Sequence, residues 1–194
     1  MTTLTYSPEA VQTYWKPYFE KKGVDLNSVR VYEAEEAIPF NISKHDNTKV
    51  LSNLYNCNVY YAGQRWHGSE QLFFYFLTEE YPEIREGILK CKSAAEVKQF
   101  MRGKPLDHDA DNKRFQAMRI ALRAKAESNI PFKTILLNSG DKALVEDSSN
   151  WYDTTYGTVL KDGYYVGVNA TGRLLMELRT QLQQEMRSKT VSVI

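Results

Sequence analysis

The run Gln71-Leu72-Phe73-Phe74-Tyr75-Phe76-Leu77, set directly after Gly68-Ser69-Glu70, most constrains what this chain can fold into. As a helix it is apolar nearly all round, so it must sit centrally, covered by other elements. The surrounding sequence supplies amphipathic helices to cover it. Ser7-Pro8-Glu9 opens one with a capping hydroxyl, a first-turn proline and an acid; it runs towards Lys22, stops at Gly23, and is expected to kink or split at Pro17. A second follows Pro82, and Ser93-Ala94-Ala95-Glu96 is a capping box that opens a third, ended by Gly103-Lys104-Pro105. From Asp111 to Glu127, Phe115, Met118 and Leu122 share one face, while the Arg and Lys residues read as solvated surface. Phe132 to Leu137 is a short helix closed by Asn138-Ser139-Gly140, and the last helix carries Leu174, Leu178 and Leu182 on one stripe.

Strand signals are few. Val29 to Tyr32 alternates, Asn58 to Trp66 reads as a short hairpin, and Ala143 to Glu146 reads as a strand. Ile38 to Asn58 is otherwise polar and irregular, with Ser43 to Asn47 as a flexible loop, and Asp147 to Gly167 is a loop with hairpin-like pieces. The sum is an α+β, α-rich domain with a small antiparallel β element. It is expected over residues 29–187, after an N-terminal helical extension (1–28) and before a loose tail (188–194).

A chain of 194 residues can bury a core without disulfides, and two cysteines, Cys57 and Cys91, make no disulfide framework and no CxxC site. Reduced thiols, an N-terminus without a basic start or apolar core, and no long apolar stretch together point to a cytoplasmic protein with no membrane partner. The net charge of +1 lacks the basic footprint of a general nucleic-acid binder, so nucleic acid enters only as a substrate. Tyrosine dominates the aromatics; packing and a pocket for a flat or sugar-bearing ligand are both compatible with that.

Two places carry candidate chemistry. Glu70 lies in the first turn of the central helix, where free N–H groups and the helix dipole favour a carboxylate. Local sequence favours plain capping; the functional reading is a rigidly held acid or base at a pocket edge. The loop Asn150-Trp151-Tyr152-Asp153-Thr154-Thr155-Tyr156-Gly157 places three rings and an acid in a polar segment, as either a binding lip or a flap over the core. His45, His67 and His108 are scattered without metal-ligand spacing, and dinucleotide, P-loop and nucleophile-elbow motifs do not occur.

An ordered series of short motifs gives a resemblance. Leu51-Ser52-Asn53-Leu54 precedes Trp66-x-x-Ser69-Glu70. Then come Arg102, Met118 with Ala121-Leu122-Arg123-Ala124-Lys125, Ile135-Leu136-Leu137-x-Ser139-Gly140-Asp141, Trp151-x-Asp153, and Asn169-x-x-Gly172-Arg173-Leu174-Leu175-Met176-Glu177-Leu178-Arg179. In this order they resemble the NADAR, or YbiA-like, family over about residues 50–183. The resemblance implies N-glycosidase activity on a bond between ribose C1 and a nitrogen, in ADP-ribosyl-guanine of nucleic acid or in a ribosylamine phosphate, with no cofactor and no metal. It assigns Glu70 and Asp153 as catalytic carboxylates and Ser52, Asn53, Trp66, Arg102, Trp151, Tyr156 and Asn169 as ligand-side residues; a different register puts Tyr156-Gly157 on a family Trp-Gly pair.

The chain departs from the family pattern at four positions. The family carries Gln and Lys where Phe74 and Leu77 stand, a glycine where Met101 stands, and often a tryptophan where Ala110 stands. Glu70, Phe74 and Leu77 share a helical face, so that face turns apolar beyond the acid, and a leucine cannot act as an amine nucleophile. Two readings follow: a glycosidase in which Glu70 and Asp153 suffice or another lysine, such as Lys49 or Lys104, moves in, and a lapsed enzyme that binds an ADP-ribose- or nucleotide-like ligand or a protein partner.

Overall fold

A computed structural model describes residues 8–150 and 153–191. It is α-rich with three small sheets, and its helices fall where the sequence periodicity puts them. They are α1 Pro8–Lys21, α2 Ser69–Phe76, α3 Pro82–Lys90, α4 Ala94–Met101, α5 Ala110–Ser128, α6 Ile130–Asn138 and α7 Ala170–Val191. The strands are β1 Arg30–Glu33, β2 Ile38–Phe40, β3 Val59–Tyr61, β4 Gln64–Trp66, β5 Leu144–Glu146, β6 Val159–Lys161 and β7 Tyr164–Gly167. The chain groups into two units, one of residues 1–48 with 139–177 and one of residues 49–138 with 178–194.

In the first unit, β1 and β6 flank β7 in an antiparallel sheet, with Val31 opposite Val166 and Val159 opposite Val166. Trp15 and Phe19 of α1 pack against Val29, Val159 and Val166. The α1 helix passes through Pro17 without a split. Gly23, at positive φ, ends it as expected: its N–H donates to Glu20 and that of Val24 to Phe19, the pattern of a left-handed C-terminal cap. A second pair, β2 with β5, is parallel and was not expected. Ile38-Pro39-Phe40 is too short to show periodicity, and its partner lies far along the chain, so local sequence carried no sign of it.

The polar loop after β2 is also more constrained than its composition suggests. Asn41 accepts from the N–H and hydroxyl of Ser43 and donates to the Asp147 carbonyl (2.7 Å). Lys44 and His45 reach the Asp147 carboxylate at 3.3 and 3.1 Å.

In the second unit, α2 packs on α3, α4, α5 and β4, as an all-round apolar helix requires. Its capping role falls to Gln71, whose Oε1 accepts from the His67 N–H (2.8 Å) while its Nε2 donates to the carbonyls of Ile88 and Cys91. The capping box at α4 forms: Ser93 Oγ accepts from the Glu96 N–H, and Glu96 accepts from the Lys92 N–H. The β3–β4 hairpin turns at Ala62-Gly63, both at positive φ.

On α5, Phe115 is 40% exposed, against expectation, because cover on that face starts only at Met118. Lys125 overturns the expectation of a solvated basic face, with 0% exposure. It stands three residues after Leu122 and seven after Met118, in the last turn of α5, where it continues the stripe covered by α2 and β3. The leucines 174, 178 and 182 of α7 are buried as read, but the helix continues through residues 188–191, where a loose tail was expected. Among the described residues, no helix is long and apolar enough to cross a membrane.

Candidate active site

The site in the second unit starts from the backbone before α2. Gly68 holds φ +153°, and a Cβ there would meet the Tyr55 carbonyl at 3.2 Å, so glycine is required where the chain turns into the helix. Ser69 follows, fully buried, and its hydroxyl donates to Asn53 Oδ1 (2.9 Å). Asn53 Nδ2 points to Met118 Sδ of α5 (2.8 Å). Ser52 accepts at its hydroxyl from the Leu54 N–H (3.2 Å) and at its carbonyl from Lys125 Nζ (2.8 Å). The expected Ser-Asn pair is thus a strut between the start of α2 and the middle of α5.

Glu70, 9% exposed, sits at this junction. Burial pushes its carboxyl up to about 7, against the pull of Lys98 and then Lys125. The first-turn dipole argument pointed to a stabilised carboxylate; desolvation outweighs it. Lys125 is the mirror case. Burial lowers its ammonium to about 8, partly offset by Cys57 and Glu70. Its Nζ lies 4.8 Å from the centre of the Phe132 ring and 5.8 Å from that of Tyr55. Of the two lysines that the sequence offers as stand-ins, Lys49 and Lys104, the latter lies over the Phe100 ring. The signal that could have found Lys125 was its place on the Met118–Leu122 stripe.

Other expected residues take definite places. Trp66 is buried and packs edge-on against Tyr75, with ring centres 4.8 Å apart. Arg102 ends α4 and is exposed. Leu77, at 1% exposure, closes α2 as a core residue, and Phe74 packs on the Ile84–Ile88 cluster. The apolar face beyond Glu70 is therefore packed protein.

In the first unit, Asp153 is exposed and its Oδ1 accepts from the N–H groups of Thr155 and Tyr156 (both 3.0 Å). Asn169, fully buried at φ +54°, accepts from the Glu146 N–H (3.1 Å) and donates to the Leu144 carbonyl (2.8 Å), so its amide extends β5. Tyr156 is half-buried, and its carbonyl accepts from the Thr171 N–H of α7 (3.0 Å). Trp151 lies outside the described residues.

The polar centre of this unit is Asp147, which sequence reading passed over. Burial raises its carboxyl, but bonds from the Ser149 hydroxyl and N–H, then His45, then Lys44 hold it below the usual carboxylate range. Of metal-ligand types, Glu80, His108 and Asp109 bring one atom each within 4.8 Å of one another at the surface. Lys113 already pairs with Asp109 there (3.2 Å), supplying the charge a cation would bring.

Comparisons with known proteins bear on the family of the chain. The NADAR domain model matches residues 39–183. The N-glycosidase YbiA of Escherichia coli (strain K12) is 34% identical over 145 residues, covering 74% of this chain and 87% of that protein. N-glycosidase YbiA of Shigella boydii matches at the same identity and coverage. The NMR structure of the E. coli protein YbiA superposes with a TM-score of 0.65 at 30% identity, over 78% of this chain and 88% of that one. By its motifs, its fold and these matches, the chain belongs to the NADAR domain family.

Proposed function

We propose that this protein is an N-glycosidase-type hydrolase that cleaves the bond between a ribose C1 and a nitrogen. The observation that carries the reading is Glu70: a buried carboxyl at the start of α2, with its midpoint raised to about 7, in a chain 34% identical to a protein named N-glycosidase. A carboxyl with that midpoint is protonated often enough near neutrality to donate, and its conjugate base is strong enough to take the proton back. In the proposed step, Glu70 protonates the departing nitrogen as the C1–N bond breaks. The sugar passes through an oxocarbenium-like state, and water adds at C1 as its proton returns to the Glu70 carboxylate. The substrate class is ADP-ribose on guanine or a ribosylamine phosphate, met in the cytoplasm, and Ser52, Asn53, Trp66 and Arg102 are the proposed ligand-side residues of this unit.

One observation favours the second reading, a family member that binds such a ligand without turnover: the family's Gln and Lys positions are Phe74 and Leu77, and both are packed. The test follows release of ADP-ribose from an ADP-ribosylated guanine oligonucleotide, and of base from a ribosylamine phosphate. Turnover in the wild type that Glu70→Gln abolishes, with ADP-ribose binding kept in calorimetry, supports the hydrolase. Binding without turnover in the wild type supports the second reading; neither binding nor turnover removes both.

A further inference from the structure

We propose that Lys125 is a positioning residue for Glu70, fixing the Ser52–Asn53 strut against α2 and supplying a counter-charge to the acid that solvent does not screen. The proposal rests on Glu70 being the working acid. A lysine with 0% exposure is costly, and the hydrogen bond its ammonium makes goes to a neutral group, the Ser52 carbonyl (2.8 Å). Packing alone does not call for it; methionine would fill the same stripe on α5 without a charge to desolvate. What the ammonium adds is a fixed point. It holds the Ser52 carbonyl, the next residue Asn53 holds the Ser69 hydroxyl (2.9 Å), and the residue after Ser69 is Glu70. Phe132 and Tyr55 wall the ammonium in, which keeps it from swinging out to water.

The charged and titratable groups facing the pair are few. Lys98 of α4 and Lys125 of α5 face Glu70; Glu70 and Cys57 face Lys125. Lys98 is exposed, so salt weakens its pull on Glu70, whereas Lys125 lies beyond the reach of counter-ions. Without Lys125, burial of Glu70 would be opposed only by a charge that solvent screens, and the acid would hold its proton too tightly to give it up near neutrality.

The test needs no substrate. Carbon-13 NMR of labelled glutamate carboxyls in the full chain, titrated between about pH 4 and pH 10, follows Glu70, whose signal is identified by its loss in Glu70→Gln. Lys125→Met should raise the Glu70 midpoint by about one pH unit, at low and at high salt alike. Lys98→Ala should move it less, and the difference should vanish in about 1 M salt. Conversely, Glu70→Gln should lower the midpoint of the Lys125 amine. A folded Lys125→Met protein with an unmoved Glu70 midpoint overturns the proposal. Where Lys125→Met does not fold, an unmoved Lys125 midpoint in Glu70→Gln overturns it alone. Coupled titration without turnover would sink the hydrolase reading, and with it the catalytic purpose given to Lys125, while showing that Lys125 sets the Glu70 midpoint; turnover lost in Glu70→Gln with no coupling would sink this proposal and leave the hydrolase reading standing.

Discussion

Asp147 in the first unit and Glu70 in the second are both buried carboxylates with lysines nearby. Asp147 receives hydrogen bonds from Ser149, His45 and Lys44, and its charge is held below the usual range. Glu70 feels Lys98 and Lys125 only as charges, among the described residues, and burial leaves it half-protonated near pH 7. The difference teaches that burial alone does not decide a carboxyl's state, because direct donors can outweigh it. A carboxylate with donors is a structural joint, and one without them is ready to exchange a proton.

That contrast can be broken by mutation, with stabilities measured by urea denaturation. The largest effect is expected at Asp147→Ala, which removes the acceptor that ties Lys44, His45 and Ser149 together and should cost about 3 kcal/mol. Glu70→Gln should act the other way. Its folded midpoint lies above the free value, so the wild type loses stability as pH rises from about 4.5 towards 7 and beyond, by about 3 kcal/mol in all. Glu70→Gln should flatten that slope and be the more stable protein at pH 8, by about 2 kcal/mol, while turnover falls at least about a hundredfold. A wild type whose stability does not fall over this window would show that Glu70 is not raised.

Asp147 has the opposite sign: its depressed midpoint contributes stability that is kept above the free aspartate value and lost as pH falls through the acid range. Asp147→Asn should therefore lose most of its stability deficit in acid, and a deficit independent of pH would refute the charged joint. Next in size, Gly68→Ala forces a side chain into a backbone that disfavours it and against Tyr55, costing about 1–2 kcal/mol and moving the Glu70 titration with it. The smallest effect is expected at His45→Ala, below about 1 kcal/mol at neutral pH, because a quarter of that side chain is exposed and Lys44 remains. A larger loss would mean that His45 carries the joint.

Much of this was legible in the chain. The capping box at Ser93, the Ala62-Gly63 hairpin, the leucine stripe of α7 and the start of α2 at Gly68-Ser69 are local signals, and they appear where the sequence put them. Of the candidate site, Glu70 and the Ser52–Asn53 pair are picked out by the ordered family motifs, and the structure ties Asn53 to Ser69 and Ser52 to Lys125. Lys125 itself was in plain view but was read by residue type, as surface, when its position on the Met118–Leu122 stripe marked it as buried. Periodicity was the better guide, because the covering helix does not consult the charge of the residue it covers.

What the sequence determined by itself was the series of helices, the central place of α2 and the family of the domain, since caps, turns and stripes act over a few residues. Only the tertiary structure decided that Ile38–Phe40 would pair with Leu144–Glu146, that Lys44 would close onto Asp147 103 residues away, and that Glu70 would hold its proton up to about pH 7 while Asp147 gives its own up in acid. Those outcomes depend on which donors and charges come within a few ångströms in space, and a local stretch of sequence does not hold that information.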